Sequence, residues 1–134
     1  MAVEVVILAP VLMAFVLLIV AGGRYVAVKG DMEATARDAA RAASLERGYG
    51  AAYAAADDVR VRSIDKNTTC QPVDMGGSNF VAGGMVTVRM DCRVSYDGLG
   101  LIGLPGSIGV DATSSAPLDC FRRTDSLVVD PSCG

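Results

Sequence analysis

The sequence predicts an α+β fold: a long N-terminal helix, hydrophobic then amphipathic, packed on a small antiparallel β-sheet. Three observations carry that prediction. Residues Val5 to Gly23 form an apolar run without a single charge, about 19 residues and roughly 28 Å as a helix, close to the thickness of a bilayer's hydrocarbon core. A proline-free stretch rich in helix formers, "DMEATARDAARAASLERG", follows it. After Gly48 the apolar period changes from that of a helix to that of a strand.

The helix is expected over about residues 3 to 46, a length of roughly 65 Å. Pro10 removes one backbone hydrogen bond within it, and Gly22-Gly23 adds local freedom. In the second half, Met32, Ala36, Ala39 and Ala43 recur on one face. Small residues there, Ala36, Ala39, Ala40 and Ala43, permit close approach of the helix to its own head or to neighbours. Glu33 and Arg37 stand four apart in the favourable order. Arg47 then Gly48 read as a basic last turn and a stop.

Beyond Gly48, "AAYAAADD" suggests one short helical turn and "DVRVRSI" a weakly alternating strand. "GMVTVRMDCRVSY" alternates clearly, with Val86, Val88, Met90, Cys92 and Val94 on one face; "GSIGVDATSSA" repeats the pattern with Ile108, Val110 and Ala112. Three or four strands packed on the amphipathic half of the helix would bury both apolar faces. The organisation expected is an apolar helix over residues 1–24, its amphipathic continuation over 25–47, and a disulfide-bonded β-rich head over 48–134.

Composition excludes several function classes. The net charge is −3, and no basic cluster is interleaved with aromatics, so nucleic acid is not an expected partner. The chain has no histidine, which removes Ser-His catalysis at Ser114-Ser115 and Asp119 and, with no C-x-x-C pair, argues against a zinc site. "GLGLIG", from Gly98 to Gly103, has the form of a dinucleotide-binding loop but leads to Leu104-Pro105-Gly106 and a strand rather than a helix, so it reads as a turn. Asp57-Asp58 reads as a solvated helix end rather than a cation site. Asn67-Thr68-Thr69 has the form of a glycosylation sequon, and a polar loop before Cys70 explains it equally well. Nothing points to an enzyme, a metal or a cofactor.

Cys70, Cys92, Cys120 and Cys133 are an even set behind a membrane-length segment, which suggests two disulfides and an oxidising compartment. Three connectivities are open; Cys70–Cys92 with Cys120–Cys133 is favoured because each closes a short loop. Arg24 and Lys29 follow the apolar run, and by the positive-inside tendency would hold the C-terminal part in the cytoplasm. The cysteines argue instead that it lies outside, on the expectation that a basic leader is removed and that the chain is a mature form. Glu4 then stands out. A carboxylate in an apolar segment is usually paired or functional. If apolar helices leave the bilayer and bundle, the α-amino group of a neighbouring chain, borne on Met1, is its natural partner.

That pattern resembles the TadE-like pilin and pseudopilin family of the Tad (Flp) type IV pilus systems. "AVEVVILAP" is similar to the family's opening, with Glu4 and Pro10 at matching places. "VAGGRYVAVKGDMEATARDAARAAS" resembles its Gly-Arg junction and Ala/Arg-rich extension, Cys70 and "VTVRMDC" its cysteine pair, and "ATSSAPLDCFR" its closing strand. The family's glutamate is fifth in the mature chain and here it is fourth; Cys120 and Cys133 are additions to the common pattern. The resemblance implies a structural filament subunit. Such a subunit is cut by a prepilin peptidase, held in the cytoplasmic membrane with its head outside, and drawn by inner-membrane assembly machinery into an extracellular pilus with copies of itself or other pilins. Its head is then displayed for contact with surfaces. Two alternatives are a minor pseudopilin that primes or caps a pilus, and an envelope binding module on a simple membrane anchor.

Overall fold

A computed structural model describes residues 2–95 and 106–134. Helix α1 runs unbroken from Ala2 to Leu45, through Pro10 and the Gly22-Gly23 pair. Among the described residues it is followed by α2 (Tyr49–Ser63), β1 (Thr68–Cys70), β2 (Met85–Ser95), β3 (Ser107–Pro117) and a 3₁₀ turn at Pro131–Cys133. The three strands form one antiparallel sheet in the order β1-β2-β3. The α+β architecture read from the sequence is therefore the one observed. The segment from Gly98 to Pro105 lies outside the described residues.

The helix-period stripe of α1 forms one wall of the core. Met32, Ala36, Ala39, Ala40 and Ala43 are all buried, and α1 packs through them on α2, β2 and β3. The strand-period residues form the facing wall: Val86, Val88, Met90 and Cys92 from β2, and Val110 and Ala112 from β3. The β2–β3 ladder keeps one register from Met85↔Pro117 to Ser95↔Ser107, so the alternating residues stay on one face throughout. Ile108 departs from the expected burial and is 38% exposed. It pairs with Val94, beyond the last fully buried pair of the ladder, Cys92↔Val110.

Two expectations are corrected. "DVRVRSI" is not a strand: α2 takes in that stretch through Ser63 and also the preceding alanines, so the single turn expected there is a full helix. Its buried residues Ala52 and Ala56 lie four apart, followed by half-buried Val59, whereas Val61 is 56% exposed. The apparent alternation of Val59 and Val61 places them on different helical faces. Ion pairs Asp57–Arg60 and Asp58–Arg62, at i,i+3 and i,i+4, fit that helix. Nor does Arg47 supply a basic last turn, because α1 stops at Leu45 and its last turn holds no basic residue.

Both short disulfide loops are present, Cys70–Cys92 and Cys120–Cys133. Gln71 N–H donates to the Asp91 carbonyl and Ser95 N–H to the Asn67 carbonyl. Cys70 and Cys92 therefore face each other at a non-hydrogen-bonded position of the ladder, where side chains approach most closely. The second disulfide ties the C-terminal segment, which also meets the head through a parallel bridge between Ala82 and Val129.

Candidate assembly surface

Among the described residues, none of the head covers the apolar half of α1. From Val3 to Val26 every residue is exposed, including Leu12, Phe15, Leu18 and Ile19. Its most apolar 18-residue window has a mean hydropathy of 3.0 with none of it buried, so the helix is long and apolar enough to cross a membrane. A continuous apolar surface of this extent is not stable in water and requires lipid or other protein around it.

Glu4 lies in the first turn of α1 and is exposed. A carboxylate there is favoured by the helix dipole, whose positive end is N-terminal. Pro10 sits six residues along, where it lines a shallow apolar groove with Val11, Ala14, Phe15 and Leu18. Continuity of the helix through Pro10 leaves the Val6 carbonyl without its usual i+4 donor. Met1 lies outside the described residues.

The four alanines Ala36, Ala39, Ala40 and Ala43 are turned inward to the head, at 0–1% exposure. Outward on the same stretch stand Ala34, Arg37, Asp38 and Arg41. Arg37 makes one contact with Glu33, at 3.7 Å between two largely exposed side chains.

Other candidates resolve into structural roles. Asp57 is held by the Arg60 guanidinium through two hydrogen bonds of 2.7 and 3.0 Å, and Arg60 also donates to the Cys70 carbonyl at 3.3 Å. The pair thus pins α2 to β1. The Arg60 hydrogen bond holds the Asp57 carboxyl below the usual carboxylate range. Asp58 is paired with Arg62, so both aspartates of the Asp57-Asp58 motif are engaged with arginines in mid-helix. Ser115 shares a hydrogen bond with Thr87 across the β2–β3 ladder at 2.9 Å. Asn67 is exposed in the turn before β1. Among the described residues no group of three His, Cys, Asp or Glu side chains is placed to hold a metal ion.

Sequence reasoning missed two features. Arg122 reaches back to the C-terminus of α1 and donates to the Ser44 carbonyl at 2.7 Å; only its place beside Cys120 hinted at a fixed position. Phe121 and Leu127, on the disulfide-tied C-terminal segment, are almost fully exposed, at 96% and 101%.

The family model for TadE-like proteins matches residues 1–41, and so bears out the resemblance over the segment that holds Glu4, Pro10 and most of α1. No curated protein and no solved structure matches the chain.

Proposed function

We propose, taking the TadE-like match over residues 1–41 as the premise, that this chain is a structural subunit of a Tad-type pilus. It is held in the cytoplasmic membrane by the apolar half of α1, head outside, before prepilin peptidase and inner-membrane machinery pass it into an extracellular filament. There the same apolar half packs on copies of itself. The work is assembly and display, not catalysis.

One observation carries this reading: a charge-free apolar helical run from Val5 to Gly23 that is exposed along its whole length, preceded in the first turn of the helix by a single carboxylate, Glu4. In a membrane that carboxylate sits at the helix end, where the interface tolerates it. In a helix bundle it becomes buried, and a buried carboxylate left without a cation is strongly unfavourable. A neighbour's cation, the α-amino group of Met1 being the natural choice, therefore fixes how far one subunit is displaced along the next. The disulfides suit the oxidising surroundings that this topology gives the head.

The test is Glu4→Ala in the full-length chain, produced in a pilus-assembling cell. Membrane insertion should be unchanged, because the apolar run is intact. Recovery of the chain in sheared filaments should fall to background. Filaments in normal amount from that variant would refute the role of Glu4. A wild-type chain found only in membranes would refute assembly itself and leave the simple anchor. Subunit counts in purified filaments separate a main subunit from a minor pseudopilin.

A further inference from the structure

We infer that the face of α1 turned away from the head is a second docking surface for another copy of this chain, joined through Arg37 and Arg41 on one flank and Asp31 and Asp38 on the other. This rests on the assembly reading above and extends it from the apolar half of α1 to the upper half.

At about 100° per residue, Met32, Ala36, Ala39 and Ala43 mark the side of α1 that is buried on the head. Asp31, Ala34, Arg37, Asp38 and Arg41, all exposed, occupy the opposite side. The charges there are sorted by sign. Arg37 and Arg41 lie within roughly 40° of each other and Asp31 and Asp38 within roughly 20°, the two pairs being centred roughly 90° apart. Ala27 and Ala34 fall between them, both exposed. The face is thus a narrow strip of small residues with a basic margin and an acidic margin.

Within one chain this sorting is only partly compensated: Glu33 stands four before Arg37 and Asp38 three before Arg41, spacings that favour pairing. Arg37 and Arg41 are an i,i+4 pair of like charge, a spacing that destabilises a lone helix. Among the described residues, no ion pair involves Asp31, Asp38 or Arg41, and Arg37 has only its contact with Glu33 at 3.7 Å. A second copy set alongside supplies what is missing, its acidic margin meeting this chain's basic one. The contact is heterologous: one margin meets the other, never itself. Such contacts extend from copy to copy and suit a filament rather than a two-fold dimer.

The spacing also sets a displacement. Arg41 is level with a neighbour's Asp38 after a shift of three residues, and Arg37 with a neighbour's Asp31 after six, which is about 4.5 to 9 Å along the axis. Arginine side chains are long enough to meet both within that range. The strip is continuous along α1 with the apolar half, so one displacement serves both. Small residues in its centre let the backbones approach.

The test uses the full-length chain in a pilus-assembling cell, with filament recovery by shearing as the readout. Three variants are compared with wild type: R37D/R41D, D31R/D38R, and all four changes together. Each double variant makes both margins alike in sign, and juxtaposed like charges oppose docking. Each should therefore lower filament recovery by about tenfold or more. The quadruple variant exchanges the margins, restores complementarity and should regain most of the loss. All four positions are exposed and opposite the core, and for each variant formation of both disulfides and the amount in membranes check that the chain is folded. Double variants that assemble like wild type, or a quadruple variant no better than the doubles, overturn this inference and leave the assembly reading in place. A wild-type chain absent from sheared filaments removes both.

Discussion

The Arg122 guanidinium donates to the Ser44 carbonyl at 2.7 Å, bridging residues 78 apart in sequence. The last carbonyls of any helix lack intrahelical donors and carry the negative end of the dipole. Here a cation from the disulfide-tied C-terminal segment supplies the donor, while the Asp125 N–H donates to the Arg47 carbonyl just beyond. The far end of α1 is thereby held to the C-terminal segment, in addition to the core contacts made by Ala36, Ala39 and Ala43. Arg122→Ala should destabilise the head by about 1.5–3 kcal/mol, the range for a hydrogen bond to a charged group. Arg122→Lys should recover part of that. Chemical denaturation of the full chain in detergent, followed by a head-specific signal, measures both.

Gly83 is another point where the C-terminal segment meets the head. Its φ is +79°, a conformation that residues with a Cβ adopt at a cost. An added Cβ would also collide with the Cys133 sulfur and approach the Cys120 sulfur at 3.1 Å. Gly83→Ala should therefore destabilise by about 2 kcal/mol or more, strain and overpacking both contributing. It should also leave a fraction of Cys120 and Cys133 unpaired. Thiol counting under non-reducing conditions reads the second effect independently of the first.

These two contacts show why part of the molecule was legible and part was not. The long helix and the β2–β3 hairpin are written in local periods, and Val86, Val88 and Met90 are buried as their spacing requires. Helix α2 is less legible, because Val59 and Val61 imitate alternation and the two arginine–aspartate pairs that stabilise the helix carry no apolar period. Arg122 was invisible for another reason: its partner is brought close only by the complete fold. For the assembly surface, Glu4 was conspicuous as a charge in an apolar setting. The sorted margins of α1 are not legible in sequence alone, because which side of the helix stays open is set by where the head packs.

The Asp57–Arg60 pair gives a pH dependence of defined sign. The Arg60 hydrogen bond is the main cause of the lowered Asp57 pKa, burial opposing it and the Arg60 charge adding to it. A carboxylate whose folded pKa lies below its unfolded one stabilises the fold fully above the unfolded value, and that stability is lost as pH falls through the folded pKa. The ordinary value is 3.8, so the loss falls below about pH 4; near neutral pH the pair's contribution is fully present and does not vary with pH. Asp57→Asn should be less stable than wild type at pH 7, with the difference shrinking on acidification. The check is denaturation midpoints of both proteins across that range; a difference that stays constant down to the acid limit would contradict the linkage.

Alanines on opposite sides of α1 should respond in opposite ways to enlargement. Ala36 and Ala39 are fully buried between α1 and the head, in a core where no extra methylene fits without displacing a neighbour. Ala36→Leu or Ala39→Leu should cost about 1–3 kcal/mol of head stability through overpacking. Ala34 is exposed on the strip between the charged margins, where an added side chain can extend into solvent. Ala34→Leu should leave head stability within about 0.5 kcal/mol of wild type. If a second copy packs closely on that strip, the same substitution should lower filament recovery while both disulfides still form. Measured together, head stability and filament recovery place each alanine on one contact or the other: a loss of stability assigns it to the head, a loss of filaments alone to the neighbouring copy.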